Sequence, residues 1–377
     1  MDKCNSKSYK KYDALILGGG IFGLHAARIM SSKGMRAALV EQDNEMFSRA
    51  SSINQARVHK GYHYPRSSDT AEKSAQYYEK FMEEFSFAIN DSFRQIYAVS
   101  KEYSKVNASE YSDFCKLVDI PLKEVDSTQY FNPDMVQAAF ETEEVSFDHS
   151  QIKNYLLNSV NNSSHIDLLM ADYPTNIERN GEMYEVTLKS GLNIKTPIVI
   201  NATYASINQV LALANLDLFK IKYELCEVIL CEVSNNLKDI GITIMDGPFF
   251  SVMPFGQKGC HSITSVAHTP HEVSYDELPN FSCQNGICSK ERLPNHNLHP
   301  FRPDSAWDSM QNLFFRYMKD DYDISYKESL FAVKPILFAA EGDDARPTII
   351  KTHTTDPYFI SVLSGKISTI YDLDNII

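Results

Sequence analysis

No run of about 18 apolar residues occurs in this chain of 377 residues, so the sequence offers no candidate for a membrane-spanning helix. The opening residues, MDKCNSKSYKKY, contain no apolar core, which argues against a secretory signal. They read as a short polar tail before the first strand, and a cytoplasmic location is expected. Internal repeats and low-complexity tracts are also missing, which leaves out solenoids and compositionally biased linkers. The seven cysteines are scattered. The closest pairs, Cys226 with Cys231 and Cys283 with Cys288, have no zinc-type histidine pattern around them, and no HExxH spacing occurs; the thiols read as reduced and no metal is expected. Positive charge is in deficit, with 36 Lys and Arg against 49 Asp and Glu and a formal net charge of −13. That balance disfavours sequence-independent binding to nucleic acid and docking on an anionic membrane, and leaves small molecules as the expected partners.

Core-forming residues are plentiful: 43% of the chain is hydrophobic and 23% charged, as in ordinary globular proteins. The length fits two or three domains, or one α/β body with an inserted second domain. Residues Asp13 to Asp43, DALILGGGIFGLHAARIMSSKGMRAALVEQD, predict a strand, a glycine turn, a helix and a second strand ending in the acid Glu41. Gly18, Gly20 and Gly23 stand at GxGxxG spacing between the apolar run and the helix, the context that a dinucleotide site requires. The first glycine permits the tight turn, the second a close approach of backbone to pyrophosphate, and the third close packing of helix on strand; Ile21 and Phe22 open the helix whose free amides face the anion. Glu41, with Gln42 beside it, lies where a carboxylate accepts from a ribose 2′-hydroxyl and repels a 2′-phosphate, so FAD or NAD is favoured over NADP.

After Glu41 comes SRASSINQARVHKGYHYPRSSDTAEKS, Ser48 to Ser74, which packs three arginines, two histidines and two tyrosines into a segment too polar for a core strand. A ligand-facing loop is expected. The stretch Ser51 to Ser67 resembles the flavin-facing loop of the D-amino-acid oxidase superfamily, which includes glycine oxidase, sarcosine oxidase and the L-2-hydroxyglutarate oxidases and dehydrogenases. The last group is nearest in its arrangement around Asn54, His59, Gly61, Tyr62 and Tyr64. The resemblance implies FAD as cofactor, with Ser51, Ser52, Asn54, Gln55, Arg57, Val58 and His59 along it.

Further pieces come in the order the resemblance requires. Ile166 to Thr203 predicts an apolar strand, a charged turn at Glu178 to Glu182, an alternating strand from Tyr184 to Leu188, a turn at Gly191 and the buried strand PIVINAT. It resembles the segment that returns to the FAD domain, with Ala202 and Thr203 near the adenosine part and Tyr204 where the family has a glycine. At the C-terminus a strand from Tyr358 to Leu363 runs into Ser364, Gly365 and Lys366 and then a helix. The resemblance implies that Gly365, Lys366 and Ile367 sit at the isoalloxazine, where amides and a cation stabilise negative charge at its pyrimidine end. The expected fold is α/β (α+β overall): a Rossmann-like FAD-binding domain from residues 11–85, 147–222 and 330–377, and a discontinuous antiparallel-sheet substrate domain from 86–146 and 223–329. In the latter, Asp246 to Gly256 and His261 to Pro270 are expected to pair as a hairpin across the site, and 283–303 reads as a polar connection.

The family implies a hydride taken from a carbon bearing a hydroxyl or an amine, with the protein binding and aligning. A substrate carboxylate calls for a cation, for which Lys334, Arg57, Arg66 and Arg346 are the candidates; Lys334 stands where a glycine-oxidase-like segment has arginine. An alcohol also calls for a base, so His59 and His63 are candidate catalytic residues, and position makes His59 a candidate for a covalent link to the flavin 8α-methyl as well. Tyr62, Tyr64 and Tyr223 are candidate hydroxyl donors. The expected function is an FAD-dependent oxidoreductase for a small 2-hydroxy acid, amino acid or amine. The alternatives are a tailoring enzyme for a larger biosynthetic intermediate and a redox-neutral flavin-dependent mutase or isomerase. No motif identifies the electron acceptor, whether oxygen, a quinone or a carrier protein.

Overall fold

A computed structural model describes residues 8–282, 292–338 and 347–377. Ala14–Leu17 and Ala37–Glu41 pair in parallel, and Ile166–Met170, Ile198–Asn201 and Tyr358–Leu363 extend the same parallel sheet. Ile349–Thr355 closes one edge antiparallel. The central strands read as continuous apolar runs because both faces are covered. Alternate residues divide between two cores. Ala14, Ile16, Leu39, Ile200 and Val362 pack with residues of the helices Ile21–Ser32, Ser68–Glu84 and His149–Asn161. Leu15, Leu17, Val40, Val199 and Phe359 pack with Ile177, Tyr184, Val186 and Ile194 of a four-stranded sheet and with the helix Ile207–Leu213.

The expected run from Ile166 to Thr203 forms as strands Ile166–Met170, Pro174–Asn180, Met183–Leu188, Asn193–Thr196 and Ile198–Asn201. A larger sheet takes Arg94–Ser100, Lys123–Val125 and Val136–Thr142 from one part of the chain. It takes Ile221–Val233, Ile240–Met245, Phe250–Pro254, His261–Ser265, Pro270–Ser274 and Ile324–Leu337 from another. The hairpin expected between 246 and 270 forms, with Phe250 opposite Ser265 and Pro254 opposite His261. One junction departs from the antiparallel expectation: Ile240–Met245 runs parallel to Arg94–Ser100 and joins the two parts. The divisions at 222/223 and 329/330 fall inside strands Ile221–Val233 and Ile324–Leu337, which pair with each other along almost their whole length. The stretches read as strands also carry the helices Ala108–Leu117 and Trp307–Tyr317.

Two further departures concern local structure. The polar segment after Glu41 ends in the helix Ser68–Glu84 rather than continuing as loop. The C-terminal helix is a 3-10 helix, Ile367–Asn375. Its start explains the tight winding, since the Ser364 and Thr369 hydroxyls both donate to the Lys366 carbonyl, at 3.2 and 3.0 Å, and compete with an α-helical ladder.

A small antiparallel sheet ties these parts together. Arg57–Val58 and Ile89–Asn90 both pair with Val145–Phe147. Phe147 packs edge-on against Phe81, with ring centroids 6.1 Å apart, and Phe81 packs against Phe85 at 4.7 Å. Phe81 is fully buried in the larger helical core. Phe81→Ala is therefore expected to destabilise the protein by about 3–5 kcal/mol, the usual cost of emptying a buried phenylalanine site, read as a shift of the urea midpoint.

Candidate active site

At the first turn the backbone itself forms the wall of a cavity. Gly18 has φ +102°, and a Cβ there would lie 2.6 Å from the Ala202 carbonyl oxygen. A Cβ on Gly23 would lie 1.8 Å from the carbonyl oxygen of Gly18, so close packing of turn and helix excludes any side chain. The helix Ile21–Ser32 starts without a side-chain cap of its own and with no acid in its first turn. The Ile21 amide donates to Ser51 Oγ at 3.0 Å. A helix start whose N-cap residue, Gly20, has no side chain to cap it, beside a glycine turn, suits a phosphate.

Glu41 ends the second strand, buried at the cavity edge. Its carboxylate accepts from the Gly19 amide at 2.6 Å and the Asp43 amide at 2.9 Å, and about half of its lone-pair sites remain for hydroxyl donors. Burial pushes its pKa up, opposed by those two amides. Beyond it, Arg49 grips Asp43 with two bonds of 2.8 Å. Asn295 donates to the same carboxylate at 2.9 Å, and Arg49 Nη1 reaches the Leu293 carbonyl at 3.0 Å. These contacts pin residues 293–295 across this end of the cavity. Burial would raise the Asp43 carboxyl, but Arg49, Ser48 and Asn295 outweigh it and hold it below its usual range.

The cavity encloses about 790 Å³ and runs from Gly18, Gly20, Ile21 and Phe22 past Glu41 and Gln42 to Ser51, Asn54, Gln55, Arg57 and His59. Ala202, Thr203, Gly365, Lys366 and Ile367 line it too, as do His63, Arg66 and Lys334. Asn54 shapes the loop, donating to the Ala50 carbonyl at 2.9 Å and accepting from the Ala56 amide at 2.7 Å. Gln55 donates to Thr264 on the hairpin. Tyr204 adopts φ +53°, a left-handed backbone uncommon for a residue that carries an aromatic ring. Lys366 Nζ donates to the Thr70 carbonyl at 2.9 Å and to Ser74, and lies 4.2 Å from the Tyr64 ring centroid. The ammonium is thus anchored on the helix Ser68–Glu84.

Several expected residues do other work. Tyr62 is fully buried and its hydroxyl donates to the Pro121 carbonyl, away from the cavity wall, so it is not a donor to substrate. Tyr223 is likewise buried, donating to the Glu277 carbonyl at 3.1 Å. Val58 is buried in the small sheet, Ser52 donates to the Phe47 carbonyl, and Gly23 acts through packing; none of the three lines the cavity. Arg57 lines it but is not available to a substrate carboxylate. Its guanidinium donates to Tyr97 at 2.6 Å and Thr243 at 2.8 Å and lies 3.4 Å from the Glu144 carboxylate. Arg66 is paired with Asp246 at 2.6 Å. Arg346 lies outside the described residues.

Residues Asp13 to His268, which include the glycine turn, Glu41 and the loop along the cavity, match the family described as FAD dependent oxidoreductase (DAO). The chain belongs to this family. FAD is accordingly its cofactor, and the glycine cradle, the uncapped helix start and the strand-end carboxylate fit that group on geometry alone. Among curated proteins, the FAD-dependent monooxygenase FPY4 of Fusarium mangiferae is 26% identical over 262 residues, 68% of this chain and 64% of that protein. The FAD-dependent monooxygenase kojA of Aspergillus flavus is 35% identical over 98 residues, 26% of this chain and 23% of that protein. The chain thus spans less than two thirds of the length of these curated relatives. Among solved structures, the fold is shared with glycine oxidase from Geobacillus kaustophilus, with a TM-score of 0.71, 14% identity, and 96% and 90% of the two chains covered. It is shared equally with the L-alpha-glycerophosphate oxidase from Mycoplasma pneumoniae with FAD bound, with a TM-score of 0.72, 16% identity, and 97% and 93% covered.

In this DAO-family chain one wall of the cavity is set by residues that sequence reading passed over. Lys222, Glu224 and Cys226 share one face of Ile221–Val233, and Glu224 stands opposite Lys334 in the neighbouring strand. Lys222 pairs with Glu224 at 3.2 Å. Burial pushes the Cys226 thiol up to about 12, so it stays protonated at neutral pH. The alternation in IKYELCE carried this signal, since every second residue is polar. Glu144, Asp246 and Asn295 had no such local mark. Among the described residues no cluster suited to a metal ion occurs, and no helix is long and apolar enough to cross a membrane. Gly23→Ala is expected to yield folded protein, judged by far-UV circular dichroism, with at least tenfold less bound FAD per chain; full flavin content would show that the turn is not the cofactor cradle.

Proposed function

We propose that this enzyme oxidises a C–H bond next to a hydroxyl or amine of a small polar substrate bearing a carboxylate. The observation that carries the reading is Lys334. It is half-buried in the cavity wall, opposite Glu224, and that carboxylate is already engaged by Lys222. FAD, when bound, supplies the hydride acceptor. Lys334 holds the substrate carboxylate as a point charge, and His59 offers a nitrogen to the proton that leaves the hydroxyl or amine. Gly18, Gly20, Ile21 and Glu41 hold the pyrophosphate and ribose, while Gly365, Lys366 and Ile367 frame the isoalloxazine end. Within the family, the loop around Asn54, His59, Gly61 and Tyr64 supports a 2-hydroxy acid, as in the L-2-hydroxyglutarate group; the fold shared with glycine oxidase keeps amino acids in view. A second reading, a tailoring enzyme for a larger biosynthetic intermediate, is supported by the match to FPY4, whose name makes it a monooxygenase.

An anaerobic screen of the yellow protein against 2-hydroxy acids, amino acids and N-methyl amines separates these readings. Bleaching by one class is expected and identifies the reaction. Absence of bleaching by all three would move the assignment to the larger intermediate or to redox-neutral chemistry. With the bleaching substrate in hand, Lys334→Ala is expected to raise KM by about 10- to 100-fold, the range for losing a charge-assisted hydrogen bond, with kcat little changed. An unchanged KM would transfer the carboxylate to another cation.

A further inference from the structure

The strand pairing that ties the molecule together also gathers an arginine, a histidine and a carboxylate behind the cavity. Arg57 is registered with Ser146 and Val58 with Val145, so one further step along the ladder places His59 opposite Glu144. Residues 57 and 59 share a face because side chains alternate along a strand. Guanidinium and imidazole therefore approach the same carboxylate, with Arg57 Nη1 3.4 Å from Oε2 and His59 Nδ1 3.4 Å from Oε1. Tyr97 donates its hydroxyl to Oε2, and the Lys60 amide donates to Oε1 at 3.2 Å. The Glu144 carboxylate is wholly shielded, while the His59 side chain keeps 19% of its surface and lines the cavity. The His59 contact is a close approach and not a formed hydrogen bond, Nδ1 being buried without a hydrogen-bond partner, and Glu144 is the acceptor nearest to hand; catalytic hydrogen bonds commonly tighten only in the substrate complex.

We propose that Glu144 is the positioning residue of a His59 base: it holds the proton on Nδ1, so that Nε2 presents its lone pair to the substrate. The proposal rests on the oxidoreductase reading above. In the step it serves, the substrate O–H (or N–H) proton passes to Nε2 and the electron pair of that bond becomes the new C=O (or C=N) bond. The hydrogen on carbon leaves with its own electron pair as hydride, with FAD as the oxidant. The imidazolium so formed faces the Glu144 carboxylate, whose Oε1 lies 3.4 Å from Nδ1.

Arg57 completes the arrangement. A nearby carboxylate favours the protonated imidazole; burial works against it most, and Arg57 beside Glu144 adds to that, so the pKa of His59 is held below its usual range. The groups around His59 divide accordingly. Burial lowers its pKa most, and the Arg57 and Lys366 charges push the same way, while Glu144 opposes them. His63 and Tyr64 complete the surroundings, with ring centroids 5.8 and 5.5 Å from that of His59. On the other side of the pair, burial would raise the Glu144 carboxyl, but His59, Arg57 and Tyr97 hold it at about 2, so it is ionised throughout the working range.

The test is nitrogen NMR of histidine-labelled protein, with His59 assigned by its loss in His59→Asn. The wild-type signal is expected to show the Nδ1–H tautomer above the titration; an Nε2–H tautomer overturns the proposal. Glu144→Gln keeps an oxygen acceptor but removes the charge. His59 should then titrate at lower pH, moving the acid limb of kcat/KM the same way, with kcat down about 10- to 100-fold and KM within about threefold. Tyr97→Phe removes a donor that weakens the carboxylate, so it should shift the His59 titration to higher pH. This opposite sign carries the test even where Glu144→Gln fails to fold. A role in folding alone would leave the titration in place in both variants and overturn the proposal. Because tautomer and titration are read without substrate, their failure is distinct from failure of the oxidoreductase reading, which the anaerobic screen reports.

Discussion

A guanidinium withdrawn from water must be surrounded by partners or it will not stay, and Arg57 imposes that demand on the whole molecule. The residue is 4% exposed and binds Tyr97 and Thr243 of the large sheet and Glu144 beside the small one. Leaving such a charge unpaired costs several kcal/mol, so each partner is fixed once the arginine is placed. The flavin-side loop, the large sheet and the short strand Val145–Phe147 are thereby held to a common geometry. The cavity lies where they meet.

Legibility in the sequence depended on the range over which each feature is encoded. The GxGxxG turn, the helix after it and Glu41 were readable because one short unit carries them, and the alternation of Tyr184 to Leu188 marked a half-buried strand for the same reason. Gly365 and Lys366 were readable from resemblance and from their place after an apolar strand, although the hydroxyls of Ser364 and Thr369 wind the C-terminal helix more tightly than expected. Tyr62 and Tyr64 looked alike in an irregular loop without a period, yet one is core and the other lines the cavity. Glu144 was invisible within ETEEVSF, where nothing distinguishes it from Glu141 or Glu143. Only the pairing of 57–58 with 145–147 selects it, and that pairing is a property of the fold.

The fold likewise separates what is general from what is particular. Solved structures with 16% identity or less share the architecture over almost the whole chain, because parallel strands covered on both faces can be written in many apolar sequences. The wall formed by Lys222, Glu224, Cys226 and Lys334 is of another kind. It lies on strands of the large sheet, where a single substitution changes charge in the cavity without disturbing the core on the opposite face.

The parallel junction within the large sheet, between Arg94–Ser100 and Ile240–Met245, has a consequence for how the protein comes into being. Between these strands the chain leaves the large sheet, contributes two strands to the parallel sheet and returns. On the ribosome, the first half of the large sheet therefore waits with an open edge until the second half has been made. The parallel sheet in turn waits for its last two strands, Ile349–Thr355 and Tyr358–Leu363. Neither sheet can be cut from the chain as a continuous segment without taking strands of the other with it.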